Sequence, residues 1–435
     1  MPLIAGRLSQ WASRFAAVPG DGRAADPLLA VLALSIAPLA FVHAGADAAI
    51  SCLDALFVWR SWRTRDFHWA RGPWFIAAVV FWSFIVLRGI ATAHPAVAVS
   101  SALVWIRFPI LVAAVPVLLD AVPALPRSML CAYSLATVFG CTDAIYEAAS
   151  GHDLFGWIPP PAGGRLVGPT GKLDIGATLG QIGMPLLALA LVTIADRAAA
   201  VWRRIAAAMA VAALSSAVFL SGERMVFILY LASAGLAFHV VARLRPRQTC
   251  CIVALALLAA VLAAATLPSM RPRVEKTLEN LQEGSRTVYL QTPLAGLRVF
   301  AAAPLFGVGF RQYRWECPSR QPANLPAEIC NIHPHEFWIE SLAENGIAGT
   351  VPFVSLIVLL LIPICRAWRR WPTEPLLGGA AIAVLVHLWP LATTGSFFVN
   401  QREVIFWPLL AFAHGLAGGA RAPRSDHYDT GGAIS

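Results

Sequence analysis

Long apolar runs, interrupted at short intervals by clusters of arginine, constrain this chain more than anything else in it. A run of about 17–25 apolar residues can cross a bilayer as a helix. In lipid the backbone must satisfy its own polar groups, so runs of this kind fold as helices. Twelve can be placed in order, near 27–43, 46–59, 73–92, 97–119, 128–148, 174–195, 205–220, 225–242, 250–267, 347–363, 376–393 and 403–418. The composition agrees, with 58% of 435 residues hydrophobic and only 13% charged. A soluble domain carries about 25% charged residues. The fold class expected is all-α: a polytopic integral membrane protein of about 12 transmembrane helices.

The arginines orient it. Arg7, Arg14 and Arg23 precede the first run, and Arg60, Arg63, Arg65 and Arg71 follow the second. Arg197, Arg203 and Arg204, then Arg243, Arg245 and Arg247, then Arg366, Arg369 and Arg370 follow later even-numbered runs. By the positive-inside rule both termini are cytoplasmic, and the N-terminal segment reads as an uncleaved signal-anchor. The net charge of +9 is then a topology signal, and no nucleic-acid partner is expected. The divisions are 1–26 (cytoplasmic), 27–204 (N-terminal transmembrane helices), 205–365 (a core with a long outer loop, 268–336), 366–420 (C-terminal transmembrane helices) and 421–435 (cytoplasmic tail). No glycine-rich phosphate loop, HExxH or CxxC occurs, so no metal or other cofactor is expected.

The outer loop has its own order. Cys317 and Cys330 stand there apart from the six cysteines in or near the spans. In an oxidising compartment they would form a disulfide, two free thiols being the alternative. A helix is expected over 286–303, stopped by Pro304-Leu-Phe-Gly-Val-Gly309; Arg311, Tyr313, Arg314 and Trp315 then form a patch suited to lipid headgroups or a sugar. The loop ends in a polar island, Asn331 to Gly349, where Pro334 suits a helix start and Asn345-Gly346 a stop. Glu336, Glu340 and Glu344 fall four apart on one stripe. The plain reading of that stripe is a solvated face, and of the two histidines, helix caps.

Three of these elements together resemble the O-antigen ligase and polymerase superfamily of bacteria. Ser221-Gly-Glu-Arg224 is similar to that family's Ser-Gly-x-Arg element. Arg286, an amphipathic helix and Pro304 to Gly309 resemble a second element, and His333-Pro-His335-Glu336 followed by Glu344 to Gly349 a third. Glu336 departs from the Asn common at that position, which bears on how an acceptor is held. The likeness covers about 205–365; before it, only the span layout and Arg165-Leu-Val-Gly168 match.

The resemblance implies a type C membrane glycosyltransferase in the bacterial inner membrane. Its site would lie on the periplasmic face, and it would need no metal. The donor would be an undecaprenyl-diphosphate-linked glycan, and the acceptor a hydroxyl of lipid A-core or another glycan. The chemistry asks for the same groups. Breaking a sugar–diphosphate bond leaves a growing anion, which arginine's planar fork suits; Arg224 and Arg286 are expected there, with Arg402 and Arg298 as lesser candidates. The attacking hydroxyl needs a general base, for which His335 is first choice and His333 second. Glu336, Arg311, Arg314 and Trp315 complete the expected substrate contacts. A polymerase is the alternative within this chemistry. A transporter is the alternative outside it, disfavoured because the spans are poor in Asp and Glu.

Overall fold

The computed structural model describes residues 25–42, 44–159, 165–247, 250, 254, 288–322, 329–330, 333–390, 396, 398 and 400–418. They form α1 (Asp26–Leu39), α2 (Gly45–Thr64), α3 (Pro73–Ile90), α4 (Pro95–Trp105), α5 (Arg107–Ala121), α6 (Leu125–Ser150), α7 (Ile175–Ile182) and α8 (Met184–Ala195). These are followed by α9 (Val201–Leu220), α10 (Arg224–Val240), α11 (Val288–Ala302), α12 (Phe337–Arg366), α13 (Pro375–His387) and α14 (Asn400–Gly418). No strand occurs among the described residues. Among the described residues five units are long and apolar enough to span a membrane: α3, α4 with α5, α6, α9 and α12. The pair α7–α8, bent by 49°, makes a sixth, and α1, α10 and α13 are shorter apolar helices. The expected run at 250–267, apart from residues 250 and 254, and both termini lie outside the described residues.

Breaks in the helices set the shape. Pro185 in the first turn of α8 has no amide to continue α7, and the bend falls at Gly183. A Cβ on Gly183 would lie 2.6 Å from the Leu179 carbonyl oxygen. The run read as one span over 97–119 is divided at Ile106, and Arg107, which opens α5, is buried. Its guanidinium meets Asp47 at 2.7 Å, while Arg60 and Asp26 pair where α1 begins and α2 nears its end. Asp54, Asp143, Glu147 and Glu403 are also buried, correcting the expectation that the apolar helices would hold few carboxylates. Around these charges α14 packs on α5, α12 on α3, and α13 on α8. Ile76, Val80 and Leu87 of α3 and Trp202, Ile205 and Met209 of α9 face outward, as lipid-facing helices require.

The most informative break is in α12. Gly346 takes φ 61° and ψ −168°, which divides the helix after Asn345. The turn Pro304–Gly309 fills the break. Val308 and Gly309 N–H donate to the carbonyls of Ala343 and Glu344, at 3.0 and 2.7 Å. In return Ile347 and Ala348 N–H donate to the carbonyls of Pro304 and Leu305, each at 2.9 Å. Backbone groups that a helix break would orphan are thus satisfied by the turn. The approach leaves no room for a side chain: a Cβ on Gly307 would overlap the Glu344 carbonyl, and one on Gly349 the Phe84 ring. Arg88 at the end of α3 donates to the Gly307 carbonyl oxygen at 3.0 Å, tying the stitched turn to that helix.

Candidate functional site

The glutamate stripe explains how this corner is built. Glu340 and Glu344 are buried, not solvated. Glu344 accepts the Arg311 and Tyr313 amides at 2.7 and 3.1 Å, and Glu340 accepts the Ser396 hydroxyl. Glu336 caps α12, its two oxygens accepting the Trp338 and Ile339 amides at 3.1 and 2.7 Å. The helix therefore starts at Phe337, not at Pro334. Expected to hold the acceptor, the Glu336 carboxylate has both oxygens committed to the cap.

With the helix starting later, His333-Pro334-His335 becomes a turn. His335 has φ 56°, the left-handed region, and its amide donates to His333 Nδ1 at 2.9 Å. The two rings lie edge to face, 4.5 Å between centroids. Nδ1 of His333 is an acceptor here, so its neutral ring carries the proton on Nε2 and offers a donor, not a base. Burial, then His335, Arg402 and Arg311, push His333 down to about 3. Burial, with Arg165 beside it, also lowers His335 from its ordinary value. Both rings are thus held neutral near pH 7. Helix α11 lies over the turn, since a Cβ on Gly296 would come within 2.8 Å of Pro334.

Two further loops meet here. Ser221-Gly222-Glu223 joins α9 to α10, and Arg224 opens α10 half-buried. Arg165 Nη2 pairs with Glu223 Oε2 at 3.2 Å. Leu166 N–H donates to the Ser221 carbonyl at 3.1 Å, and Glu147 accepts the Val167 and Gly168 amides at 2.8 and 2.9 Å. Arg402, in the first turn of α14, acts on His333, Glu223 and Asp174. Burial raises Glu223 and Asp174, opposed first by Arg402 in each case. Arg402 and Arg311 thus act on His333 and Arg165 on His335, while Arg402 and Arg165 also act on Glu223 and Asp174.

Other expected site residues sit elsewhere. Arg298 donates to Gln321 Oε1 at 3.1 Å, beside the Cys317–Cys330 disulfide. Trp315 stacks on His94 (centroids 4.2 Å) and lies under the Arg314 guanidinium at 4.1 Å, so the aromatic patch docks on the α3–α4 loop. Arg286 lies outside the described residues. Arg165, Glu223 and Asp174 were not among the expected site residues. A signal for Arg165 existed, an arginine on the side of the chain that the positive-inside rule leaves poor in charge.

A bundle of apolar helices, several long enough to cross a membrane, with arginines and two histidines gathered in its loops is the architecture of a multi-pass membrane protein. Residues 207–354 match the family model described as O-antigen ligase. Over that segment the chain is similar to the O-antigen ligase and polymerase superfamily, a class of glycosyltransferase-like membrane enzymes. The match takes in Ser221–Arg224, the 304–309 turn, both histidines and the Gly346 break, while Arg165 and Arg402 fall outside it. No curated protein matches the chain significantly.

Proposed function

We propose that this protein is an O-antigen ligase-like glycosyltransferase of the bacterial inner membrane. It moves a glycan from undecaprenyl diphosphate to an acceptor hydroxyl, of lipid A-core or another surface glycan, at the periplasmic face. What supports this is that positive side chains act on both histidines, Arg402 and Arg311 on His333 and Arg165 on His335. Guanidinium groups meet the charge that develops on the diphosphate as the sugar leaves, so the reading calls on no metal. Arg224 and Arg286 are assigned to the same anion from the family pattern. His335, neutral at pH 7, takes the proton of the attacking hydroxyl at a ring nitrogen. His333 donates from Nε2 and orients the acceptor or the departing oxygen.

A polymerase must hold two lipid diphosphates at once. Among the described residues Arg165 and Arg402 share one pair of carboxylates, Glu223 and Asp174, which favours one diphosphate site and hence ligation. The test is a deletion strain examined by glycan gel. Ligation predicts long chains on the lipid carrier and none on the final acceptor. Single-unit glycans still reaching that acceptor, with only chain length lost, would make the protein a polymerase. A reporter in 270–330 that reads cytoplasmic would overturn the assigned face.

A further inference from the structure

We propose that Glu223 is a positioning residue, whose carboxylate, fixed between the Ala177 amide and Arg165, holds the Arg165 guanidinium as a ligand for the donor's diphosphate. This rests on the donor assigned above.

The pair is lopsided in a telling way. The Glu223 side chain is 4% exposed and that of Arg165 42%. The acid is the anchored partner and the guanidinium the one that reaches outward. Glu223 Oε1 accepts the Ala177 amide at 3.2 Å, and among the described residues Oε2 pairs with one nitrogen, Arg165 Nη2. A one-nitrogen contact leaves much of arginine's five-donor fork available. Arg165 Nε is itself buried with no hydrogen-bond partner among the described residues. A buried donor left without an acceptor is costly, and a phosphate oxygen is the acceptor such a fork is shaped for.

Both ends of the pair are backed by rigid chain. Gly176 lies so near that a Cβ there would overlap Ser221 Oγ and come 2.9 Å from Glu223 Oε1. Ser221 Oγ donates to the Val218 carbonyl at 2.7 Å and accepts the Glu223 amide at 3.4 Å. On the other side Glu147 grips the two amides that follow Leu166. Arg165 is thus aimed by a carboxylate that has little freedom to move, beside a histidine whose protonation it already influences.

A carboxylate against an arginine could instead compete with the donor for it, and the two roles give opposite results. The full chain in lipid nanodiscs is titrated with undecaprenyl diphosphate, and transfer is followed at varied donor and acceptor. Positioning predicts that Glu223→Gln weakens diphosphate binding about 10- to 100-fold, the worth of one charge-assisted hydrogen bond. It also predicts a raised KM for donor with the KM for acceptor unchanged, and partial recovery in Glu223→Asp. Arg165→Gln combined with Glu223→Gln should bind no worse than Arg165→Gln alone, because the carboxylate acts only through that arginine. Equal or tighter binding by Glu223→Gln overturns the inference, as does full additivity in the double variant or an equal rise in both KM values. Failure of the wild-type chain to bind undecaprenyl diphosphate overturns the donor assignment itself, whatever the variants do.

Discussion

Replacing Gly346 with alanine tests whether the stitched break in α12 holds the site together. Two costs can be read from the structure. Gly346 occupies φ 61° with ψ −168°, a backbone region that side chains avoid, worth about 1–3 kcal/mol. A Cβ there would also lie 2.5 Å from the Gly307 nitrogen and the Leu305 carbonyl, and overpacking of this kind costs about 1–3 kcal/mol more. The sum is about 2–6 kcal/mol, with the turn 304–309 pushed off the break. Two controls separate the terms. Gly151→Ala carries positive φ (84°) with open space around it, and so reports strain alone. Gly180→Ala meets only Val226 at 3.6 Å inside a helix and should be neutral or slightly stabilising. Purified variants are compared by thermal unfolding in detergent and by protease sensitivity of the 304–349 segment. Gly346→Ala should unfold well below both controls and be cleaved near the turn. Should it match Gly180→Ala in both assays, the backbone stitch is not what holds these segments together.

The remaining expectations concern chemistry. His335→Ala should lower transfer about 10²–10⁴-fold with insertion and melting unchanged, while His333→Ala should retain more activity; near-normal transfer by His335→Ala would remove its role as base. Because burial and Arg165 hold His335 below its ordinary value, it stays neutral, and kcat should hold as pH falls past the usual histidine range before declining. Arg165→Gln removes a positive neighbour, favours the protonated ring and should move that acid limb to higher pH; an unmoved limb would separate the two residues. Thiol labelling of denatured, unreduced protein should find Cys317 and Cys330 blocked, and free labelling of both would contradict the disulfide seen in the structure.

Much of this was legible in the residues. Apolar length alone gives α3 almost as drawn, 73–92 against Pro73–Ile90, and α6 within a few residues. It misses the breaks at Ile106 and Gly183, because both halves of a broken span are equally apolar. The Gly346 stop was visible as Asn345-Gly346, but not that a turn some forty residues earlier in the chain would fill it. Glutamates at a four-residue spacing look the same whether they face water or loop amides. Only the fold shows that Glu344 receives Arg311 and Tyr313. The site was half visible for a similar reason. His333 and His335 announce themselves by type, whereas Arg165 becomes notable only beside Glu223, to which it is joined by no periodicity in the sequence.

The stitch across α12 also bears on the order in which the protein can be made. The turn at Pro304–Gly309 finds its partners in Ala343, Glu344, Ile347 and Ala348, the last two already in the apolar half of the helix. During synthesis the turn is complete long before those partners leave the ribosome, so its glycines wait without a structure to join. Only when the residues after Gly346 have emerged can the turn close on both sides of the break. A ribosome stalled shortly before those residues emerge would leave a chain inserted but with its 304–309 turn unpaired.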